Sequence, residues 1–205
     1  MLPVTDEQAK LGQEIIKTIR ASGSYVADIL GDLPKDLTGL LVGDRIKAKR
    51  QQNAHVLWRK TKARLEQRRV EQPEPPSYKF AIPILSAAAD ENNATLQDLW
   101  ARLLAAAMDP KRRDELRQNF VVTVQKLDPL DAVVLEEIRR NGNASWGSTG
   151  RDVVAASLQC WREDVLVSFQ NLHKLGCISF GNTDAPQINP YLSPYGTVFL
   201  RALAD

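Results

Sequence analysis

Apolar residues recur three or four positions apart along most of this chain, the spacing that places them on one face of an α-helix. Leu11, Ile15 and Ile19 form the first such stripe and predict a helix over residues 5–20. Short runs rich in glycine, proline, asparagine and serine separate the later stripes, and these residues end helices and form turns. The pattern therefore predicts a mostly α-helical protein.

The second predicted helix is long and basic. It opens in the apolar segment 37–42 and continues to about Arg69 in strong helix-forming residues. Its apolar stripe is thin and consists of Ile46, Leu57, Trp58 and Leu65. At about 1.5 Å per residue, such a helix is about 40 Å long. The prolines of residues 71–77 follow it and predict an extended, semi-rigid linker.

Three helices are predicted after the linker. The first spans residues 78–89 and is entered through Pro83, because proline is tolerated in a first helical turn. The second begins at Thr95 and Asp98, whose spacing resembles a capping box, and continues as a strongly apolar helix. The third follows from an apolar repeat over residues 116–127.

The C-terminal third predicts a different order of elements. A capping Asp128 before Pro129 starts a helix. The elements predicted after it are helices over 151–159 and 162–175, strands over 177–180 and 187–192, and a helix over 193–203. That order is typical of a winged helix with 162–175 as the recognition helix. Its only cations are Arg162 and Lys174, which favours protein contacts over DNA reading.

The predicted fold class is thus mostly α. A helical N-terminal unit with the long basic helix precedes a winged-helix-like C-terminal unit with a small β-hairpin. The predicted domain ranges are 1–72 for the N-terminal helices, 73–127 for a helical middle region and 128–205 for the C-terminal unit.

Composition excludes several classes of protein. With 205 residues, 43% hydrophobic and 25% charged, the chain is close to a globular average and not globally disordered. Two cysteines do not make a disulfide framework. The N-terminal residues have no secretory pattern, and no run approaches the ~20 apolar residues of a membrane span. We therefore expect a cytoplasmic protein, with the inner membrane surface as an alternative site of action.

The charge is unevenly distributed. Residues 45–69 contain one acid, Glu66, so their net charge is +9, and the rest of a chain with overall charge +2 must then carry −7. The segment's lysines and arginines are the candidate residues for binding an anion, a nucleic acid or a partner: Arg45, Lys47, Lys49, Arg50, Arg59, Lys60, Lys62, Arg64, Arg68 and Arg69.

Three interpretations of these cations stay open. They form a phosphate track for nucleic acid, or they attract anionic lipid beside the apolar segment 37–42. Alternatively, they meet acids elsewhere in the chain or on a second subunit. Trp58 lies among them and is predicted to be a core or interface residue under long cationic side chains.

No residue pattern predicts catalysis. His55 and His173 lack patterned acid or cysteine neighbours, and Cys160 and Cys177 lack metal-ligand spacing. Asp131 and Glu136 do not share a helix face, and Asp131 in a first turn is explained by the helix dipole. We expect no enzyme activity, no metal, no cofactor and no small-molecule substrate.

Several of these segments resemble the abortive infection alpha family of bacterial proteins. The resemblance covers about residues 28–140, and four segments carry it: Leu40–Arg45 (LLVGDR), Phe80–Leu85 (FAIPIL), Leu96–Ala105 (LQDLWARLLA) and Leu127–Ala132 (LDPLDA). The Trp100 helix is the most specific of them.

The resemblance implies a role in phage defence by abortive infection, in which the infected cell stops growing or dies. It implies no catalytic residue set. Three functions are therefore carried forward: a non-enzymatic defence protein that binds a phage or host macromolecule, a nucleic-acid-binding winged-helix regulator, and a peripheral membrane-surface effector. A homo-oligomer is also expected, because a long helix with a thin apolar stripe is hard to bury alone.

Overall fold

The computed structural model describes residues 44–141, 150–180 and 189–204. Within these ranges, only the backbone is described for residues 44–48 and 51. The predicted helix over 5–20 and the segment 37–42 lie outside these ranges. The described residues form eight α-helices, a short 3-10 turn and one antiparallel hairpin. The predicted, mostly helical fold class with a small hairpin is confirmed.

The elements follow one another in this order: α1 (Asp44–Gln67), α2 (Tyr78–Asp90), α3 (Ala94–Met108), the 3-10 turn (Arg113–Glu115), α4 (Gln118–Lys126), α5 (Pro129–Asn141), α6 (Gly150–Leu158), α7 (Arg162–Lys174), β1 (Ile178–Phe180), β2 (Pro190–Leu192) and α8 (Pro194–Leu203).

Two compact units contain the described residues. The first comprises residues 44–92 and 97–121, and the second comprises 93–96 and the described part of 122–204. Their boundary falls within the first turn of α3 and again within α4. The three ranges that the sequence suggests as domains stay a prediction, since residues 1–43 are not described.

In the first unit, α1 packs against α2 through one buried face. Leu57, Trp58 and Leu65 are buried on that face, as the apolar stripe predicts. Thr61 is buried among them and satisfies its hydroxyl by donating to the Leu57 carbonyl at 2.9 Å. A thin stripe is therefore enough to dock the basic helix.

The C-terminus of α2 is capped by side chains from α1 and α3, the helices that precede and follow it in sequence. Asn53 Nδ2 of α1 donates to the Ala89 carbonyl at 2.9 Å, and Gln97 Nε2 of α3 donates to the Ala88 carbonyl at 2.9 Å. The last carbonyls of a helix have no partner within it, so these amides replace water. Pro83 lies in the second turn of α2, not in its first turn as predicted.

The helix α3 is buried almost throughout its second half, from Leu103 to Met108. Its start differs from the prediction, because Asn93 and not Thr95 caps it. Asn93 Oδ1 accepts from the backbone N–H groups of Thr95 at 2.9 Å and Leu96 at 3.3 Å. Asp98, predicted to complete a capping box, instead forms ion pairs.

The proline-rich linker is extended but is held against the first unit. The Glu74 N–H donates to the Met108 carbonyl at 2.8 Å, the Glu74 carboxylate pairs with Arg113, and Pro76 is buried. The prediction of a spacer is therefore corrected: prolines set the extended path, and these contacts fix it to the end of α3.

The second unit has the predicted order of three helices, two strands and a helix. The first helix of that order, α5, starts at Pro129, and Asp131 Oδ2 accepts from the Asp128 N–H at 2.8 Å. The hairpin pairs Ile178 with Leu192. Ser193 caps α8, its hydroxyl accepting from the Gly196 N–H at 2.9 Å, as the Ser–Pro start predicts.

Candidate functional site

Helix α1 turns one part of its positive charge to solvent. The exposed cations that the structure describes in and just after this helix are Lys49, Arg59, Lys62 and Arg69, and we call the pair Arg59 and Lys62 the basic face. Arg59 and Lys62 are three positions apart, so they are neighbours on one side of the helix. The side chains of Arg45 and Lys47 lie outside the described residues.

A second part of the charge faces acids of the same unit. The Arg50 guanidinium forms a two-pronged contact with the Asp90 carboxylate, and its Nη2 lies 2.8 Å from Oδ2. The hydrogen bond to Asp90 raises the pKa of Arg50 above its ordinary value. Asp90 is in the last turn of α2, so this contact ties α1 to the end of α2.

Asp98 of α3 gathers three cations. Arg64 Nη2 and Arg102 Nε each lie 2.8 Å from a carboxylate oxygen of Asp98, and Lys60 Nζ lies 3.9 Å away. Burial acts to raise the pKa of Asp98, but the hydrogen bonds from Arg102 and Arg64 outweigh it and hold the pKa below its usual value. Lys60 is itself partly buried, and this burial lowers its pKa.

Ten cations were predicted as one anion-binding set, and those whose side chains the structure describes have different environments. Arg50, Lys60 and Arg64 meet acids of the first unit, and Lys62 lies 3.7 Å from Glu66 one turn along α1. Arg68 is half-buried. Trp58 is only 5% exposed, within the apolar side of α1. Among the cations whose side chains the structure describes, those of the basic face are exposed, although Lys62 has this contact with Glu66.

The two histidines have different surroundings, and both cysteines are at least partly shielded from solvent. His55 is exposed on α1, whereas His173 Nδ1 lies 3.1 Å from the Ile178 carbonyl. Burial, with a smaller effect from the Asp131 charge, raises the pKa of the Cys177 thiol to about 12. Burial and the charge of Asp164 also raise the pKa of Cys160. A raised pKa disfavours the thiolate that nucleophilic chemistry needs.

Two of the acids that the sequence singled out have partners within the second unit. Asp131 is 2% exposed and accepts a hydrogen bond from Asn171 Nδ2 of α7 at 2.6 Å. Glu136 pairs with Arg139 on α5. The interpretation of Asp131 as a first-turn acid is consistent with its position, but its bond to α7 was not foreseen.

Helix α7 exposes a surface that the sequence pattern did not single out. Val165, Phe169 and Leu172 are buried as predicted. Trp161, immediately before the helix, is 78% exposed, and Val167 is 63% exposed. The exposure of Val167 follows from the helical spacing, because Val167 lies off the buried stripe. The same spacing does not predict the exposure of Trp161, because Trp161 lies outside the helix.

Two further properties of the described residues bear on function. They contain no group of three or more histidine, cysteine, aspartate or glutamate side chains arranged to hold a metal ion. Within the same ranges, no helix combines the length and apolar character needed to cross a membrane.

Comparison with known families decides the relationship. The model of the abortive infection alpha family matches residues 49–195, well over half of the chain. The chain belongs to the abortive infection alpha family. Comparison with curated proteins and with solved structures gave no significant match.

The abortive infection alpha match differs in extent from the resemblance seen in the sequence. It begins within α1 and ends within α8, so it also includes residues 141–195, which lay beyond the predicted range of 28–140. Residues 40–45 precede the match. The basic face and the exposed end of α7 both lie within the abortive infection alpha region.

Proposed function

We propose that this protein acts in abortive infection against bacteriophage, by binding a macromolecular partner and without catalysis of its own. The observation that carries the proposal is membership of the abortive infection alpha family across residues 49–195. Defence of this kind requires that the protein change the fate of the infected cell, and binding to one essential component is enough for that. The proposed place of action is the bacterial cytoplasm.

The basic face supports the binding part of the proposal. Arg59 and Lys62 are exposed side by side, and surface cations steer an anionic or acidic partner towards the helix. Asp131 and His173 have structural partners, and burial raises the pKa of the Cys177 thiol, which supports binding over chemistry at those three residues.

The decisive experiment is a phage challenge. The chain is expressed in a bacterial host, which is infected with a varied phage panel at low and high dose, and plating efficiency and culture survival are followed. Protection at low dose with collapse of the culture at high dose is the expected result. An unchanged infection by every phage would contradict the proposal.

A variant pair connects protection to the basic face. Arg59→Glu with Lys62→Glu reverses two exposed charges, and protection should then fall at least tenfold in plating efficiency if the face binds the partner. Lys111→Glu with Arg117→Glu is the matched control, since these cations are also exposed in the first unit and lie outside α1. Protection that survives the first pair would remove the basic face from the proposal.

Nucleic acid remains the second candidate partner, because the same exposed cations are able to contact phosphates. This candidate predicts binding that weakens steeply with salt and is lost in the Arg59→Glu, Lys62→Glu protein. The pairing of Arg50, Lys60 and Arg64 with acids reduces the number of cations available to it.

A further inference from the structure

The exposed end of α7 combines an indole with carboxylates. Trp161 is 78% exposed and Val167 is 63% exposed, although both side chains are apolar. Glu163 and Asp164 are exposed in the first turn between them. We call these four residues the α7 anchor. Tryptophan is enriched among the residues that dominate protein interfaces, so an indole as exposed as that of Trp161 points to an interaction site.

The carboxylates of the anchor keep their negative charge available. Among the residues that the structure describes, neither Glu163 nor Asp164 forms an ion pair. The adjacent cation, Arg162, is directed to another acid, since its Nε lies 3.3 Å from Asp152 Oδ1. The anchor therefore presents a flat aromatic ring and two unneutralised acids.

This chemistry selects the kind of partner. Carboxylates repel the phosphates of nucleic acids and of anionic lipids, so α7 is poorly suited to either surface. An indole face attracts cations, arginine most often, and tryptophan and arginine are enriched among the residues that dominate protein interfaces. The anchor fits a basic protein surface.

We propose that the α7 anchor docks on the basic face of α1 in a second copy of this chain. The Trp161 indole would stack on the Arg59 guanidinium, and the carboxylates of Glu163 and Asp164 would pair with Arg59 and Lys62. This inference rests on the proposed function in one respect: it names the partner of the same basic face.

Charge complementarity is the argument for a second copy. Arg59 is exposed and, among the described residues, has no ion pair, while Lys62 has only a solvent-exposed contact with Glu66 at 3.7 Å. Residues 45–69 carry +9 and the rest of the chain −7, yet the whole chain has only +2, so two copies attract locally without strong overall repulsion.

The two surfaces differ, which has a consequence for assembly. A contact between unlike surfaces on identical chains either closes reciprocally or continues from copy to copy. Each ion pair at a surface contributes little, so the association should be weak and should decrease with salt. Sedimentation velocity from low micromolar to near-millimolar protein, at ~50 mM and ~500 mM salt, measures both properties.

Complementary charge reversal gives the sharpest test. Glu163→Lys with Asp164→Lys makes the anchor basic, and Arg59→Glu with Lys62→Glu makes the basic face acidic. Each double variant alone should sediment as a monomer, because its two surfaces then have like charge. An equimolar mixture should associate again, since each anchor then meets an opposite charge on the other variant. Restored association also shows that both variants are folded.

Two further variants define the contact. Trp161→Ala should weaken association about tenfold, as loss of an interface tryptophan commonly does. Lys111→Glu with Arg117→Glu changes the net charge as much as the α1 reversal and should leave association unchanged.

The inference is overturned if the wild-type chain stays monomeric throughout, or if the mixture does not associate. Phage protection by a monomeric wild-type chain would reject the inference and leave the proposed function standing. A monomer that binds nucleic acid only while Arg59 and Lys62 are intact would reject it too and assign the basic face to nucleic acid.

Discussion

The Arg64 guanidinium lies 2.8 Å from the Asp98 carboxylate and joins the basic helix α1 to α3. Two more cations, Arg102 and Lys60, approach the same carboxylate. Asp98 is only about a quarter exposed, at 26%, so solvent screens this cluster less than it screens the basic face. One acid thereby allows three like charges to lie close together.

Asp98→Asn should destabilise the protein. The amide keeps the size of the side chain but removes the negative charge, which leaves Arg64, Arg102 and Lys60 repelling one another. We expect the free energy of unfolding to fall by about 1–2 kcal/mol, somewhat less than a fully buried hydrogen bond to a charged group contributes, because the cluster is partly exposed to solvent. Urea unfolding at neutral pH measures it. Asp114→Asn is the control, because Asp114 is exposed, and an equal loss there would contradict the argument.

The contribution of Asp98 should also depend on pH. Its pKa is lower in the folded chain than the ordinary value of 3.8, so the folded state favours the charged form. The stability it supplies is therefore complete well above pH 3.8 and is lost as the pH falls through the lower, folded pKa. The difference in urea midpoint between wild type and Asp98→Asn should shrink on acidification from neutral pH. A difference that grows on acidification would be inconsistent with the lowered pKa.

How well the sequence predicts this structure depends on the range of the interaction. Asp128 before Pro129 and Ser193 before Pro194 predict helix starts correctly, because a cap and its helix are adjacent in sequence. Thr95 was wrong as a cap because Asn93, two positions earlier, offers its side chain instead. Local signals of similar strength compete, and the sequence does not rank them.

The binding surfaces show that contacts between residues far apart in sequence are not predictable from the sequence pattern. Ten cations within residues 45–69 were visible as a cluster, but Asp90 and Asp98, which meet some of them, lie on other helices. No periodicity connects such partners. The exposure of Trp161 was not predicted for a different reason. Trp161 lies just outside the helix and is therefore on neither its buried nor its exposed face, so the helical pattern does not say whether it is buried.

Three helices end in the same turn with different residues at its left-handed position. Arg69 follows α1 at φ 54°, Gln159 follows α6 at φ 53° and Gly176 follows α7 at φ 74°. After α6, for example, the Cys160 N–H donates to the Ala155 carbonyl at 3.1 Å, the bond that marks a Schellman motif. Only the third position has the residue that adopts this conformation without strain.

Gln159→Gly should therefore stabilise the protein. Glycine removes the conformational strain of the left-handed position in the folded state, and it also increases the conformational entropy of the unfolded chain. The first free-energy change is the larger, so we expect a gain of about 0.5–1 kcal/mol in the free energy of unfolding. Thermal and urea unfolding give the value. Gln159→Ala is the control, since it keeps a Cβ and should change little, and a similar gain from alanine would show that strain is not the cause.

The two thiols should differ in reactivity towards an aromatic disulfide reagent. Cys177 is buried and its pKa is about 12, so it should react only after unfolding. Cys160 is partly exposed with a raised pKa and should react slowly in the native protein, faster as the pH increases. Absorbance of the released thiolate measures both. Cys160→Ala should abolish the native reaction, and a remaining native reaction would mean that Cys177 is accessible.

Gly196 should tolerate no side chain, although its position inside α8 would normally favour alanine. The Cβ of any other residue there would collide with the Cys177 carbonyl oxygen and lie 2.8 Å from its carbonyl carbon, which are backbone atoms just before β1. The Ser193 N–H donates to that same carbonyl at 3.1 Å, which holds the start of α8 against the Cys177 backbone. We expect Gly196→Ala to lower the free energy of unfolding by more than about 2 kcal/mol, an overpacking cost. Pro194→Ala, at an exposed position in the same first turn, should cost less than half as much in urea unfolding. Comparable losses in the two variants would place the cost in the helix start and not in the contact between Gly196 and Cys177.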